Sequence, residues 1–109
     1  MKLNNYQDKA RKTAIYPNIG GNIIYPTLGL CGESGEFAEK IKKLIRDNNG
    51  VMTPEIRDAL IKELGDILWY VANSASELNV TLEEVAQRNL DKLQKRKQEN
   101  KLHGEGDDR

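Results

Sequence analysis

Apolar residues recur along the chain at three- and four-residue intervals, the spacing that places them on one face of an α-helix. Four stretches carry this pattern. The predicted helices cover about residues 4–14, 27–47, 54–78 and 81–100. Residues 15–26 combine prolines, glycines and asparagine with several apolar side chains, which predicts a loop that packs over another part of the molecule.

Residues that start or stop helices bound these stretches. Residues 48–50, Asn-Asn-Gly, predict the end of the second helix. Thr53 and Pro54 have the order of an N-cap followed by a proline in the first helical position. Residues 79–80 predict a tight turn, and Thr81 begins a Thr-x-x-Glu capping box for the fourth helix.

Each of the two later helices has an apolar face that we expect to be buried. On the third helix this face includes Leu60, Leu64 and Leu78, and on the fourth it includes Val85 and Leu90. Four amphipathic helices without a strand pattern predict an all-α, four-helix bundle-like fold.

The length of 109 residues predicts one domain over residues 1–109. Charged residues make up 31% of the chain and aromatic residues 6%, a balance that favours solvated amphipathic helices. Because a chain of this size buries a small core, we expect it to gain stability by oligomerising. Residues 101–109 form a polar tail to which we assign no role.

Charge and cysteine content restrict the function and the compartment. The 17 basic residues balance the 17 acidic residues, whereas proteins that coat nucleic acid or lie on a membrane surface usually have a basic excess. Cys31 is the only cysteine, which suits a reducing compartment. The polar N-terminus has no apolar core of a signal peptide, and no run is long enough to span a membrane. We therefore expect a cytoplasmic protein without a nucleic-acid or membrane partner.

Two pairs of carboxylates stand at three-residue spacing on consecutive predicted helices. Glu33 and Glu36 lie on the second helix, and Glu63 and Asp66 lie on the third. Residues three apart share a helix face, so all four can converge at one edge if the two helices pack antiparallel. Carboxylates held together repel one another and need a compensating positive charge. Oxygen ligands of high charge density favour a hard cation such as Mg²⁺.

One other interpretation of these acids remains open. They can be solvated residues paired with lysine one turn away, as Glu36 with Lys40 and Glu39 with Lys43. A di-iron bundle is disfavoured because it needs Glu-x-x-His pairs, and the only histidine is His103 in the tail.

Small and amide residues interrupt the apolar pattern. Glycines accompany the acidic pairs and indicate close approach of a neighbouring helix or a ligand; they are Gly29, Gly32, Gly35 and Gly65. Asn89 projects into the apolar face of the fourth helix, where a buried amide needs a hydrogen bond. With Lys92 and Arg96 it forms a polar seam that can meet phosphate oxygens, or it makes an interhelical hydrogen bond beside two surface cations.

Trp69 lies on the side of the third helix away from its main apolar face. We interpret it as part of a subunit interface, because exposed aromatic patches usually have partners. The alternative is that the first helix covers it.

Two segments resemble the MazG-like all-α nucleoside triphosphate pyrophosphohydrolases. They are Gly-Glu-Ser-Gly-Glu-Phe-Ala-Glu at residues 32–39 and Lys-Glu-Leu-Gly-Asp-Ile-Leu-Trp at residues 62–69. The family pattern is Glu-x-x-Glu, a spacer, then Glu-x-x-Asp, and here the spacer has 26 residues. Residues 88–96 are also similar to the family's downstream segment. The resemblance covers about residues 28–96, in a single copy typical of the short branch.

The resemblance implies a fold, an activity and a set of site residues. The helical bundle would be completed by homo-oligomerisation, as a homodimer or a dimer of dimers, with sites at subunit interfaces. The reaction would hydrolyse the α–β phosphoanhydride bond of a nucleoside triphosphate. Mg²⁺, with Mn²⁺ as a substitute, would be bound by the catalytic residues Glu33, Glu36, Glu63 and Asp66. Phosphates would contact Asn89, Lys92 and Arg96. From the residues themselves, the candidates for the base pocket are Tyr25, Tyr70 and Asn73, and the alternative is that Tyr70 and Asn73 only cap the edge of the bundle.

Two further functions compete with hydrolysis. A non-catalytic helical oligomer would bind nucleotide or a partner protein and would show no metal-dependent turnover. A nucleic-acid binder would use the basic stretch of residues 92–101, against which the neutral net charge counts.

Overall fold

The computed structural model describes residues 1–99, which form four α-helices and no strand. The helices are α1 (Leu3–Lys12), α2 (Ile24–Asn48), α3 (Pro54–Glu77) and α4 (Leu82–Gln98). The all-α prediction is confirmed. The tail at 101–109, with His103 and the predicted helix end near Asn100, lies outside the described residues.

The predicted starts of α3 and α4 are confirmed by their N-caps. The Thr53 hydroxyl accepts a hydrogen bond from the Ile56 amide at 3.2 Å, directly before Pro54. Thr81 accepts one from the Glu84 amide at 3.0 Å. Asn79 adopts a left-handed conformation with a φ of 58° in the turn between these helices. The chain reversals therefore follow local side-chain chemistry.

Helix α2 begins three residues earlier than predicted, at Ile24. Pro26 lies within its first turn, where a missing amide hydrogen costs nothing because that position has no intrahelical partner. The Asn22 side chain accepts a hydrogen bond from the Tyr25 amide at 3.1 Å and supplies the cap. The prediction was wrong because it treated the proline as the end of a loop.

Helices α2 and α3 form the most extensive helix–helix contact, and α1 packs against α3 and α4. Within the described residues α4 does not contact α2, so these four helices alone do not close a four-helix bundle. The radius of gyration is 16.7 Å, larger than the ~13 Å of a compact domain of similar length. The chain is therefore an open arrangement with an incompletely covered interior.

Trp69 packs against the small core between α1, α3 and α4. Ala10, Ala72 and Leu82 form the buried centre, and the indole lies against it. Its Nε1–H also donates to the Thr13 hydroxyl at 2.7 Å. The first helix and the residue after it cover part of this tryptophan, as the alternative interpretation expected.

Several apolar residues that we expected to be buried are exposed in the single chain. Leu60 is buried, but Leu64 is 51% exposed, Leu78 62% and Leu90 58%. They lie on the predicted faces of α3 and α4, and no other part of the described chain covers them fully. None of the described helices combines the length and apolarity needed to cross a membrane.

Candidate metal centre and adjoining pocket

Three of the four predicted carboxylates converge between α2 and α3. Glu33, Glu36 and Glu63 each place one carboxylate oxygen within 4.8 Å of the others. The three-residue spacing on α2 turns the first two in one direction, and the packing of α3 brings the third against them. This separation allows one small cation to be bound by all three.

Asp66 lies one turn after Glu63 and is exposed, outside the group of three. Its negative charge reaches Glu33 and contributes to the raised pKa of that residue. Asp66 and Glu33 also line the same cavity. The structure therefore places Asp66 beside the cluster, facing the adjoining pocket.

The cluster is electrostatically unbalanced. A hydrogen bond shared with Glu63, together with burial and the charge of Asp66, raises the pKa of Glu33 to about 7. The Lys40 ammonium, 2.9 Å from Glu63, lowers the pKa of that carboxyl below its usual range. The proton is thus held on Glu33 and the negative charge on Glu63.

One buried oxygen of the cluster lacks a hydrogen-bond donor, and this shows whether a cation would fit there. Glu63 is 7% exposed, and its Oε2 has no hydrogen-bond donor among the described residues when the neighbouring acids are ionised. A buried carboxylate oxygen without a donor is costly. A hard divalent cation would satisfy it together with Glu33 and Glu36, so the residues present fit Mg²⁺.

The lysine partners differ from those expected. Lys40 pairs across the helix interface with Glu63 and not with Glu36. Glu39 pairs with Lys42 at 3.0 Å and not with Lys43. Neither expected i,i+4 ion pair is therefore formed, because Lys40 bonds to Glu63 on α3 and Glu39 bonds to the lysine three residues away.

A cavity of about 390 Å³ adjoins the cluster and is lined by Thr13, Glu33, Asp66, Trp69 and Tyr70. The Trp69 and Tyr70 rings meet edge to face, with centroids 4.9 Å apart. The pocket thus joins aromatic surface to carboxylates, the combination that suits a ligand with a flat apolar part and a cation-bound polar part.

We expected a neighbouring helix or a ligand to approach closely at four glycines, and within the described chain this occurs at one of them. A Cβ added to Gly29 would overlap the Tyr70 ring, so the glycine allows this ring to lie on α2. Around Gly32, Gly35 and Gly65 no heavy atom of the described chain beyond their own helix lies within 4 Å of such a Cβ. Their proximity to the acids does not reflect packing within one chain.

Tyr25 extends the aromatic surface beyond Tyr70. Its ring stacks on Tyr16 with centroids 4.8 Å apart and an angle of 11° between the planes, and it is 43% exposed. The pKa of the Tyr70 hydroxyl is raised mainly by burial, and to a smaller extent by the nearby Tyr25 hydroxyl and the charge of Glu33. Tyr25 and Tyr70 therefore lie in one neighbourhood, as the base-pocket hypothesis requires.

Asn73 has a different environment from the other two pocket candidates. It is 1% exposed, and its amide donates to the Trp69 carbonyl at 3.1 Å. Its side-chain oxygen accepts from Arg11 at 3.1 Å. Because both ends of the amide are used internally, we correct its assignment from pocket lining to support of the helix behind the pocket.

Glu77 was not identified from the sequence, yet it has the densest set of hydrogen bonds among the described residues. Its buried carboxylate accepts from one side chain of α1 and from three groups of the loop before α2; the donors are Arg11, the Tyr16 hydroxyl and the amides of Gly20 and Asn22. Burial alone would raise the pKa of Glu77, but these donors lower it to about 2. The sequence did contain one signal for this residue. Glu77 is an acid in the last turn of a helix, where the macrodipole disfavours a negative charge unless it has partners.

The predicted polar seam of α4 lies apart from the carboxylates in this chain. Asn89 and Lys92 line a second cavity of about 460 Å³ whose lining includes no member of the acidic cluster. Asn89 is exposed, so the expectation of a buried amide is wrong for the single chain, because no described helix covers that face. Arg96 is 4% exposed.

Comparison with known proteins gives two matches. The family model described as MazG nucleotide pyrophosphohydrolase domain matches residues 26–100. The Gene 37 protein of Mycobacterium phage L5 is 50% identical over 114 aligned residues, which cover 100% of both chains. No solved structure matches.

Proposed function

The chain belongs to the MazG nucleotide pyrophosphohydrolase domain family, and we propose that it hydrolyses (deoxy)nucleoside triphosphates to monophosphate and pyrophosphate. The observation that carries this proposal is the cluster of Glu33, Glu36 and Glu63 beside an aromatic-walled cavity. The arrangement offers a cation position next to a surface for a base, as cleavage of a nucleoside triphosphate requires.

We propose Mg²⁺ as the bound cation, with Mn²⁺ as a substitute. Glu33, Glu36 and Glu63 would hold it, with Asp66 as a further ligand from the pocket side. A divalent ion there supplies charge neutralisation for the phosphate oxygens. Glu63 is anchored by Lys40 and stays ionised, so it keeps a ligand oxygen in place, and Glu33 must release its proton before it can bind the ion.

The pocket would hold the nucleoside part of the substrate. Tyr25 and Tyr70 would flank the base or sugar, since both present ring surface close to the acids. Trp69 forms the adjacent wall, and Asn73 would act only by holding the helix behind it. The edge-to-face rings would also exclude water from one side of the substrate.

Asn89, Lys92 and Arg96 would contact the phosphates only after a second copy of the chain has docked. In one chain Asn89 and Lys92 line a cavity without the acidic cluster. We therefore propose a homodimer or a dimer of dimers in which the α4 seam of one copy completes the carboxylate site of another. The exposed apolar residues on α3 and α4 support such an interface.

We place this activity in the cytoplasm, where the exposed thiol of Cys31 would stay reduced. The alternative is a non-catalytic helical oligomer that binds nucleotide or a partner protein. Its support is the same exposed apolar surface, which does not itself require catalysis.

The test is an assay of purified protein with a panel of NTPs and dNTPs, with Mg²⁺ and with EDTA, followed by chromatographic identification of products. Monophosphate with pyrophosphate, formed only with metal, is the expected result. Diphosphate with phosphate would keep the metal site and overturn the assignment of the cleaved bond. No turnover of any nucleotide, with nucleotide binding intact, would favour the non-catalytic oligomer.

A further inference from the structure

Lys40 approaches the carboxylate cluster from α2, one turn beyond Glu36. Its Nζ donates to Glu63 Oε1 at 2.9 Å, and its positive charge also interacts with Glu36 and Glu33. The ammonium is therefore the nearest cation that the described chain supplies to the three residues of the cluster.

The two oxygens of Glu63 differ in their surroundings. Oε1 accepts the hydrogen bond from Lys40, whereas Oε2 is buried and without a donor among the described residues. A divalent ion bound by all three acids would lie close to Glu63, and a positive ammonium 2.9 Å from that carboxylate would repel it. The lysine and the ion compete for the same negative charge.

Lys40 has space into which it can move. Its side chain is 36% exposed, and it borders a cavity of about 290 Å³ lined by Glu36, Glu39, Lys40 and Lys43. A lysine stem can rotate its charged end into water while its methylene groups keep their contacts. Leaving Glu63 would therefore not require helix movement.

We propose that Lys40 is a resident counter-ion of the metal-free site, which holds the Glu63 carboxylate in place and is displaced when a divalent cation binds. This inference rests on the proposed metal centre. It assigns Lys40 a positioning role toward the metal: the residue keeps the acids together against their mutual repulsion, and it lowers the affinity for the incoming ion.

Lys43 offers a matched control. It lies one turn further along α2 and borders the same cavity. Its charge acts on Glu39 and Asp47, and within the described residues it forms no ion pair with the acids of the cluster, unlike Lys40. Replacing Lys40 or Lys43 by methionine removes one charge from the same face of the same helix, and only the Lys40 variant loses an ion pair with Glu63.

The experiment measures Mg²⁺ and Mn²⁺ binding by calorimetry, and thermal unfolding with and without the ion, all in the absence of nucleotide. For Lys40→Met we expect about twofold to fivefold tighter binding, as for loss of a partly exposed charge interaction. We also expect a lower metal-free unfolding temperature and a larger rise on adding metal. Lys43→Met should bind as the unmodified chain does. Lys40→Gln should repeat the result if the methionine variant does not fold.

Unchanged or weaker metal binding in the folded Lys40 variants would overturn the inference while leaving the proposed metal centre intact. Absence of metal binding in the unmodified chain and in both Lys40 variants would overturn the metal centre and this inference together. Binding that appears only after Lys40 is replaced would support the displacement strongly.

Discussion

The guanidinium of Arg11 lies 2.6 Å from the carboxylate of Glu77, whose side chain is only 1% exposed. The same carboxylate accepts from the amides of Gly20 and Asn22, so one acid at the end of α3 connects α1 to the loop before α2. Asn22 in turn caps the first turn of α2. This connection holds the start of α2 beside the end of α3, in addition to the extensive packing between the two helices.

We predict that Glu77→Gln destabilises the protein by about 3–5 kcal/mol, the usual cost of removing one partner of a buried ion pair. The side-chain NH₂ group of the glutamine would face the hydrogen-bond donors that now bind the carboxylate, and Arg11 would lose its charged acceptor. Urea unfolding followed by circular dichroism measures the change. Glu55→Gln, in the exposed first turn of α3, is the control and should change the free energy of unfolding by less than ~1 kcal/mol. A similarly small change in Glu77→Gln would show that the network does not hold the loop.

The sequence predicts the helices and most of the acidic cluster because both depend on local periodicity. Glu33 and Glu36 share a face through their spacing alone, and the caps at Thr53 and Thr81 are also local signals. Glu77 could not be predicted in the same way. Three of its four partners lie in an irregular loop whose path no periodicity encodes.

Predictions that depended on tertiary packing were less successful: one residue expected on the surface is partly covered, and one expected to be buried is exposed. Trp69 was expected at an interface and is partly covered by α1, because a short polar helix gave no sign of where it would pack. Asn89 was expected to be buried and is exposed, because a helical projection identifies an apolar face but not whether the same chain covers it. Both outcomes depend on contacts between elements far apart in the sequence.

We predict that Glu63→Gln weakens Mg²⁺ binding and lowers the rate of pyrophosphate release, each by at least about tenfold. The variant loses the most buried ligand of the cluster. Calorimetry and a coupled pyrophosphate assay measure the two effects, and circular dichroism checks folding. Glu39→Gln is the matched control on α2, because Glu39 pairs with Lys42 outside the cluster. Full activity in folded Glu63→Gln would contradict the proposed mechanism.

We predict that Mg²⁺ affinity falls as the pH is lowered from about 8 to 6, because the pKa of Glu33 is raised to about 7. Below that pKa the carboxyl carries a proton, which must leave before the oxygen can bind the ion. Binding at pH 7 should therefore release a fraction of a proton. Calorimetry in buffers of different ionisation enthalpy measures this release. Affinity that is constant between pH 8 and 6, with no proton released, would remove Glu33 from the ligand set.

We predict that Gly29→Ala displaces the Tyr70 ring and destabilises the chain by about 1 kcal/mol. Overpacking costs about 1–3 kcal/mol. The replacement of glycine by alanine in a helix offsets ~1 kcal/mol of that cost. The new methyl group would overlap the ring. Gly32→Ala, one turn along α2 with open space around its Cβ, should instead stabilise by up to ~1 kcal/mol. Urea unfolding compares the two, and equal gains in both variants would contradict the close contact.

We predict that Leu64→Glu converts the proposed oligomer to a monomer without unfolding the chain. Leu64 lies between Glu63 and Asp66 on α3 and is 51% exposed. Ile61 and Leu68, 47% and 40% exposed, flank it at helical spacing, and together they form an apolar stripe beside the carboxylates. A charge in the middle of a packed apolar interface would remain unpaired, which costs several kcal/mol.

Light scattering after size-exclusion chromatography measures the molecular mass of this variant, and circular dichroism measures its helix content. Val51→Glu, in the loop between α2 and α3 at 59% exposure, is the control and should keep the mass of the unmodified protein. If the active site is shared between copies, Leu64→Glu should also lose pyrophosphate release although its own carboxylates are intact. A monomer of full activity would show that one chain suffices and would place the phosphate contacts elsewhere than on a second copy's α4.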